Sequence, residues 1–371
     1  MNKIRMSLGG ALALVLLCFG ASANAGNISV DIDIDNYWMD ASQDVTVHIT
    51  LTNNGKKPAK LLKWYTAADG IEENLFKVSR DGENLRYLGA HYKRPAPQAG
   101  NYIHLKAGES ITQTAEISSV YDFSKTGDYR VQFDVASMQL FDPAASHRQN
   151  PGQSGVDSLV SNELMFWVEG RDWTSPGQVA AKGSAKGGNG KGKPPADPPP
   201  SGERVSFTGR CSNGQQTTIL SAIDEAIGIS SNAKSYMNGN LGDRYTTWFG
   251  TVNSTRSNAV SSNFDAITDA MANEDITVDC KCKQNYYAYV YPTEPYKIYV
   301  CKAFWSAPLT GTDSKAGTLV HEMSHFNVVA GTDDVVYGQT GAMNLAISSP
   351  NDAVQNADSH EYFAENTPHR N

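Results

Sequence analysis

Alternating apolar and polar residues recur in short stretches through residues 27–173. Residues 28–34 and 45–51 alternate in this way, and Asn53-Asn54-Gly55 follows the second stretch as a turn signal. A period of two places successive side chains on opposite faces of a sheet. Further strands are predicted at 75–78, 103–105, 111–117, 129–135 and 164–168. About seven strands over this length predict an all-β, antiparallel sandwich of immunoglobulin-like type.

The spacing of apolar residues changes in the last part of the chain. These residues recur with the period of a helix in 217–229 and in 258–272. Ser349 and Pro350 are favourable at a helix start, and one helix is predicted from there to Glu365. The C-terminal part is therefore expected to form a domain that contains both helices and strands.

Two tyrosine-rich stretches, 286–291 and 296–301, predict a β-hairpin, because aromatic residues favour strands. The edge of such a hairpin can bind an extended peptide as an added strand. The alternative interpretation is that these tyrosines only favour a pleated surface.

Residues 175–202 are dense in Gly, Pro, Ala and Lys and have no apolar period. Such a composition cannot form a core, so it predicts a flexible linker between domains at 26–174 and 203–371. Its lysines make it a natural site of proteolytic processing: Lys182, Lys186, Lys191 and Lys193. The alternative is a passive tether between two permanent domains.

Residues 1–25 have the pattern of a secretory signal peptide. Lys3 and Arg5 precede an apolar run at 8–19, and Ala23-Asn24-Ala25 supplies small residues for cleavage. The alternative is a membrane anchor, but the run is too short to span a bilayer comfortably. The mature protein is therefore expected to be secreted and soluble.

The overall charge narrows the classes of partner. The chain has 371 residues, 40% hydrophobic and 19% charged, which is too long for one typical domain. Its formal net charge of −8 argues against binding to nucleic acids or anionic membranes, because both favour basic surfaces. It mildly favours cationic peptides instead.

The cysteines indicate disulfides. Cys18 lies in the predicted signal peptide, and the other four lie in the C-terminal part: Cys211, Cys280, Cys282 and Cys301. An even number in an exported chain predicts two disulfides with three possible pairings. Cys280 and Cys282 are too close to pair comfortably with each other. A cysteine zinc site is the alternative, and an oxidising compartment disfavours it.

The candidate chemistry lies in His321-Glu322-x-x-His325, on a predicted helix whose start Thr312 or Asp313 can cap. Histidines one helical turn apart can bind one metal ion, and the glutamate beside them can take a proton from bound water. Two imidazoles make an incomplete zinc site. Asp334, which follows a turn at Gly331, is the favoured third ligand, and Glu361 is the alternative.

Together with Gly331-Thr332-x-Asp334-x-x-Tyr337-Gly338, this motif resembles the signature of the aspzincins, the deuterolysin and peptidyl-Lys metalloendopeptidase family. The resemblance covers the chain from Cys211 to the C-terminus. It implies a zincin-like α+β domain with one Zn²⁺ ion. The zinc ligands would be His321, His325 and Asp334. Glu322 would be the general base, and Tyr337 would assist catalysis.

The same resemblance implies further properties. It favours the disulfides Cys211–Cys280 and Cys282–Cys301. It matches Asp358 to an acidic residue that, in peptidyl-Lys members, lies in the pocket for the side chain after the scissile bond. A Lys preference on the leaving-group side follows. The layout also resembles secreted bacterial aspzincin toxins, which implies an exotoxin that acts in virulence on protein or peptide substrates.

The role of the first domain is open to more than one interpretation. Its histidines are scattered and are expected at the surface or in turns: His48, His91, His104 and His147. The domain could be an adhesion or carbohydrate-binding module. Its position before the peptidase-like part favours a pro-domain that acts as an intramolecular inhibitor. The competing hypothesis for the whole chain is a binding or adhesion protein with an inactive peptidase-like domain.

Overall fold

The structure, a computed structural model, describes residues 27–141, 157–178 and 204–371. The predicted signal peptide, most of the predicted linker and His147 lie outside the described residues.

The N-terminal β-region, formed by the described residues up to 178, is built from strands. They are β1 (Ile28–Ile34), β2 (Trp38–Met39), β3 (Thr46–Asn53), β4 (Ala59–Leu62), β5 (Phe76–Arg80), β6 (Glu83–Leu85), β7 (His91–Lys93), β8 (Tyr102–Leu105), β9 (Ser110–Glu116), β10 (Gly127–Ser137) and β11 (Asp157–Val168). A three-stranded antiparallel sheet has the order β1-β3-β9, a five-stranded sheet has the order β2-β11-β10-β5-β6, and β4 pairs with β8.

Alternation along these strands forms the core of the N-terminal β-region. Ile28, Val30 and Ile32 of β1 are buried, and the polar residues between them are not. Apolar side chains from both larger sheets belong to one buried cluster. All seven strands that the pattern predicts are present, and six agree within two residues at each end. The seventh, β11, begins at Asp157, seven residues before the predicted start. The immunoglobulin-like topology stays a prediction.

The C-terminal α+β region covers residues 204–371. Its strands are β12 (Val205–Thr208), β13 (Ile276–Asp279), β14 (Ala288–Val290) and β15 (Lys297–Val300). Its helices are α1 (Asn213–Met237), α2 (Asp243–Phe249), α3 (Ser254–Asn273), α4 (Lys302–Ser306), α5 (Lys315–His325), α6 (Gln339–Ser348), α7 (Pro350–Gln355) and α8 (Ala357–Glu365). The predicted hairpin is confirmed as the antiparallel pair of β14 and β15. Among the described helices, none has the length and hydropathy that a membrane span requires.

The sheet of the C-terminal α+β region gains its last strand from the other region. Its order is β12-β13-β15-β14-β7, and β7 pairs with β14 in the antiparallel direction. The register sets Lys93 opposite Ala288, and His91 opposite Val290. An exposed sheet edge readily accepts an extended segment in this way, because its backbone donors and acceptors need partners.

Two predicted details of the helices are wrong. Ser314, rather than Thr312 or Asp313, caps α5, because its side chain accepts a hydrogen bond from the Gly317 amide. The predicted helix from Pro350 to Glu365 is two helices that break at Asn356. The buried Asn356 side chain accepts hydrogen bonds from the amides of Val335 and Val336, which a continuous helix would not place there.

The four cysteines of the C-terminal α+β region form two disulfides, Cys211–Cys280 and Cys282–Cys301. This is the pairing that the family resemblance favours. The first joins the start of α1 to the end of β13, and the second joins the segment after β13 to the end of β15.

Loss of the longer disulfide loop should destabilise the protein more. The sequence separations are 69 for Cys211–Cys280 and 19 for Cys282–Cys301, and loop-closure entropy predicts losses of about 4 and about 3 kcal/mol. The measurement is urea unfolding of each double Cys→Ala variant, in a Glu322→Gln background that prevents self-digestion. A larger loss from the shorter loop would contradict the entropic explanation.

Candidate active site

Three side-chain atoms converge at the C-terminal end of α5. His321 Nε2 lies 3.1 Å from His325 Nε2, and Asp334 Oδ1 lies 3.1 and 3.5 Å from these two nitrogens. Ligand bonds of about 2.0–2.1 Å in a tetrahedral site place ligand atoms about 3.3 Å apart. All three side chains are buried. The set therefore fits a zinc ion.

The outer nitrogen of each imidazole faces an acceptor. His325 Nδ1 is 2.7 Å from the carbonyl oxygen of Thr332, and His321 Nδ1 is 2.9 Å from Asp358 Oδ1. Donation from Nδ1 leaves the lone pair of Nε2 free for a metal ion. The Thr332 carbonyl thus sets His325 for binding through Nε2. His321 Nδ1 lies close to Asp358 but makes no hydrogen bond to it.

Two buried oxygens support the same conclusion. Within the part of the chain that the structure describes, Asp334 Oδ1 and Glu322 Oε2 have no hydrogen-bond partner. A buried carboxylate oxygen without a partner is costly, and a cation bound by the two imidazoles would satisfy Asp334 Oδ1 and offset the nearby charge of Glu322. Burial alone would raise the pKa of Asp334, but His325 and His321 hold it well below its usual value. Asp334 is therefore anionic, which is the form in which a carboxylate binds a metal ion.

The loop that carries Asp334 is held by the break between α7 and α8. The helix α5 ends at His325, and Gly331 takes a left-handed backbone conformation (φ 59°) that returns the chain toward it. The amide of Asp333 then donates to the Gln355 carbonyl, and its own carbonyl accepts from Ala357. The break in the helix at Asn356 thus fixes the loop that carries Asp334.

Glu361 lies on the other side of His321. Its Oε2 is 3.3 Å from Nδ1 of His321, away from the Nε2 atoms. Together with Asp358 it surrounds the ammonium group of Lys93, whose Nζ lies 2.8 Å from Glu361 Oε2. That position already holds a cation, so the geometry favours Asp334 over Glu361 as the third ligand.

Glu322 is suited to proton transfer. It follows His321 in sequence and is fully buried, which raises the pKa of its carboxyl to about 7. Its Oε1 accepts a hydrogen bond from the backbone amide of Lys93 at 3.2 Å. A carboxylate with a pKa near neutrality can both accept and deliver a proton at physiological pH.

Tyr337 is buried, and the structure orients its hydroxyl toward the N-terminal β-region. The hydroxyl donates to Glu73 Oε1 at 2.7 Å, and the ring packs edge-on against Trp64. Glu73 also accepts from Arg94. The hydroxyl is therefore engaged by residues outside the C-terminal α+β region.

Asp358 has three partners. Its Oδ1 faces both His321 Nδ1 and Lys93 Nζ at 2.9 Å, and its Oδ2 accepts from the Gly338 amide at 2.6 Å. It thereby joins one imidazole, the loop after Tyr337 and a buried lysine. The acidic pocket, defined here as Asp313, Asp358, Glu361 and Tyr362, surrounds the ammonium group of Lys93, whose side chain is fully buried.

Comparison with known proteins establishes the family of this chain. Residues 234–365 match the family model described as lysine-specific metallo-endopeptidase, Aspzincin_M35. An extracellular protease of Aeromonas hydrophila is 44% identical over 100% of this chain and 99% of its own length. The chain belongs to the aspzincin family. It is a metalloendopeptidase, a hydrolase of peptide bonds.

Two further relatives come from fungi. A peptidyl-Lys metalloendopeptidase of Armillaria mellea is 30% identical over 98% of this chain and 99% of its own length. A solved zinc peptidase from Grifola frondosa is 42% identical, covers 43% of this chain and 100% of its own, and has a TM-score of 0.42.

His91 lies within this aspzincin active site, so its predicted position at the surface or in a turn is wrong. It is only 6% exposed, its ring centroid is 4.6 Å from that of His325, and its Nδ1 is 3.9 Å from Asp334 Oδ2. The reason is tertiary, because a three-residue strand leaves no periodic pattern in the sequence. His104 is exposed and His48 is partly so, as expected.

Removal of a true metal ligand should affect this aspzincin more than removal of an outer partner. In a Glu322→Gln background, Asp334→Ala should weaken zinc binding well over about a hundredfold, whereas Glu361→Gln should cost about 10- to 100-fold. Glu322→Gln alone should keep zinc and lose turnover. Zinc content and competition with a chelator measure the effect. Full zinc retention in Asp334→Ala together with loss in Glu361→Gln would reverse the assignment.

Proposed function

We propose that this aspzincin is secreted as a latent precursor of a zinc endopeptidase that favours Lys after the cut bond. The observation that carries the proposal is β7, an extended segment of the N-terminal β-region that fills the cleft and places Lys93 in the acidic pocket. The names of the Aeromonas hydrophila and Armillaria mellea relatives support an extracellular peptidase and a Lys preference, respectively.

The catalytic roles follow from the site. One zinc ion, bound by His321, His325 and Asp334, would lower the pKa of a bound water toward neutrality and polarise the substrate carbonyl. Glu322 takes the proton from the attacking water and delivers it to the leaving amine. Once the hydroxyl of Tyr337 is free of Glu73, it can donate to the developing oxyanion, where loss of one donor costs on the order of 3 kcal/mol.

The acidic pocket explains a preference for Lys. Lys93 Nζ lies within 3.2 Å of oxygens of Asp313, Asp358 and Glu361. Burial alone would lower the pKa of Lys93, but Asp358 and Glu361 hold it well above its usual value, so the amine is charged. A compact ammonium fits between three carboxylates better than the wider, planar guanidinium of Arg. A substrate Lys that replaces Lys93 would meet the same partners.

Several contacts of the N-terminal β-region support its role as an intramolecular inhibitor. The strand β7 occupies the edge of β14 that a substrate backbone needs. Arg94, which directly follows β7, is buried between the rings of Trp64, Tyr92 and Tyr286 and pairs with Glu72 and Glu73. Activation therefore requires that this region leaves, and a cut in the linker at 175–202 would permit it. The exotoxin role stays a prediction from the sequence.

The carboxylates of the acidic pocket should determine the Lys preference unequally. Asp358→Asn should lower the ratio of Lys to neutral cleavage sites by roughly a hundredfold, because it breaks a buried charge pair. It should also slow all cleavage, since Asp358 supports His321. Asp313→Asn is the matched control, because Asp313 is 39% exposed and should lower the ratio only about fivefold. A mixed peptide library measures both ratios. An unchanged ratio in Asp358→Asn would exclude its role in specificity.

Latency should depend on Lys93. Lys93→Ala removes a buried charge pair worth about 3 kcal/mol or more, so the precursor should mature faster than wild type. Lys56→Ala, at an exposed site of the same region, should not change the rate. Gel electrophoresis and sequencing of the new N-terminus, expected within residues 175–204, follow maturation. Glu322→Gln should keep either precursor at full length. Maturation of that variant at the normal rate would show that another protease cuts the linker.

A further inference from the structure

We propose that β7 binds in the register of a substrate whose scissile bond is Tyr92–Lys93, and that His91 protects this bond by occupying the zinc position that water otherwise takes. The inference rests on the proposed function. It adds a fourth protein ligand to the zinc site of the precursor. It also identifies the Tyr92–Lys93 bond of β7 as a substrate bond that is protected from cleavage.

The register is defined by contacts on both sides of one peptide bond. The nitrogen of the Tyr92–Lys93 bond is the Lys93 amide, which lies 3.2 Å from Glu322 Oε1. This is where a leaving amine must stand to receive a proton from the general base. The Lys93 side chain enters the acidic pocket, the predicted site for the residue after the scissile bond. The preceding amide, that of Tyr92, donates to Asp334 Oδ2 at 3.0 Å.

A Lys bond placed in this way should be cut, so the latent protein needs a feature that prevents attack. The strand supplies this feature at His91, two residues before Lys93. Side chains at i and i+2 of a strand lie on the same face, so His91 and Lys93 both face the active site. The imidazole of His91 lies against the metal-ligand cluster, where nitrogen and oxygen ligand atoms of His91, His325 and Asp334 all lie within 4.8 Å of one another.

A fourth protein ligand would change the character of the site. A zinc ion with three protein ligands keeps a position for water, whereas one with four protein ligands is closed, as in structural sites. If His91 is the fourth ligand, no water is available for the Tyr92–Lys93 carbonyl. The competing explanation is packing alone, since the ring of His91 also lies 5.6 Å from that of Tyr87.

Removal of His91 would convert the strand into a substrate. Water would then add across the Tyr92–Lys93 bond: the C–N bond breaks, the water oxygen enters the new carboxylate of Tyr92, and Glu322 carries a proton to the Lys93 amine. The products are a chain that ends at Tyr92 and a chain that begins at Lys93. No other reactant is needed.

The first experiment measures ligation without turnover. Full-length Glu322→Gln precursor loaded with zinc is studied by X-ray absorption spectroscopy, which counts imidazole ligands. We expect three in this parent and two in the His91→Phe variant, which keeps a ring of similar size. His104→Ala, an exposed control, should keep three. The His91→Phe variant should also release zinc to a chelator at least tenfold faster. Two imidazoles in the parent would overturn the proposed ligation.

The second experiment follows the masked bond in the active protein. Before the linker is cut, His91→Phe and His91→Ala precursors should yield a fragment with Lys93 at its N-terminus, detected by mass spectrometry, whereas uncut wild type should not. Two variants with matched melting temperatures guard against a folding defect. If that fragment is absent although the number of imidazole ligands has fallen from three to two, the proposed substrate register is overturned. A parent that binds no zinc would contradict the proposed function itself, so the two failures are distinguishable.

Discussion

The need to satisfy polar groups inside the protein shapes this molecule around α5. Every residue of α5 is buried, including two imidazoles and a carboxylate that cannot stay unpaired in an apolar core. The surrounding elements each supply partners for them. The loop after α5 supplies the Thr332 carbonyl and Asp334, and α8 supplies Asp358. The geometry of the site thus follows from the need to pair buried polar groups. A cation fits where buried oxygen atoms still lack hydrogen-bond partners.

The same constraint connects the proposed latency with the proposed specificity. Asp358 and Glu361 are fully buried carboxylates next to His321, and a cation must accompany them. In the structure the cation is the ammonium of Lys93. In the proposed activation, a substrate lysine replaces it after the N-terminal β-region departs. An inhibitory segment whose cation pairs with the acidic pocket needs few other specific contacts. The edge of β14 binds any extended backbone through its own amides and carbonyls.

Local patterns in the sequence were sufficient for much of the fold. Seven strands of the N-terminal β-region, helices α1 and α3 and the hairpin of β14 and β15 follow from periods of two and of about 3.6 residues. Such patterns failed where a distant partner overrides them. Asn356 lies in a run with good helical character, yet it leaves the helix to bind the amides of Val335 and Val336. Ser314 caps α5 in place of Thr312 or Asp313. The Ser314 amide also donates a hydrogen bond to a carboxylate oxygen of Glu365.

For the site, the sequence by itself determined the ligand types and their spacing, because His321, Glu322, His325 and Asp334 lie on one helix and the loop that follows it. Helix geometry alone sets two imidazoles on one face. Only the tertiary structure decided that Glu361 lies behind His321, and that His91 and Lys93 lie in the cleft. Those positions depend on a strand of three residues that is formed by pairing with β14. A contact between residues that lie 195 to 199 positions apart leaves no period in the chain, so no local pattern could have indicated it.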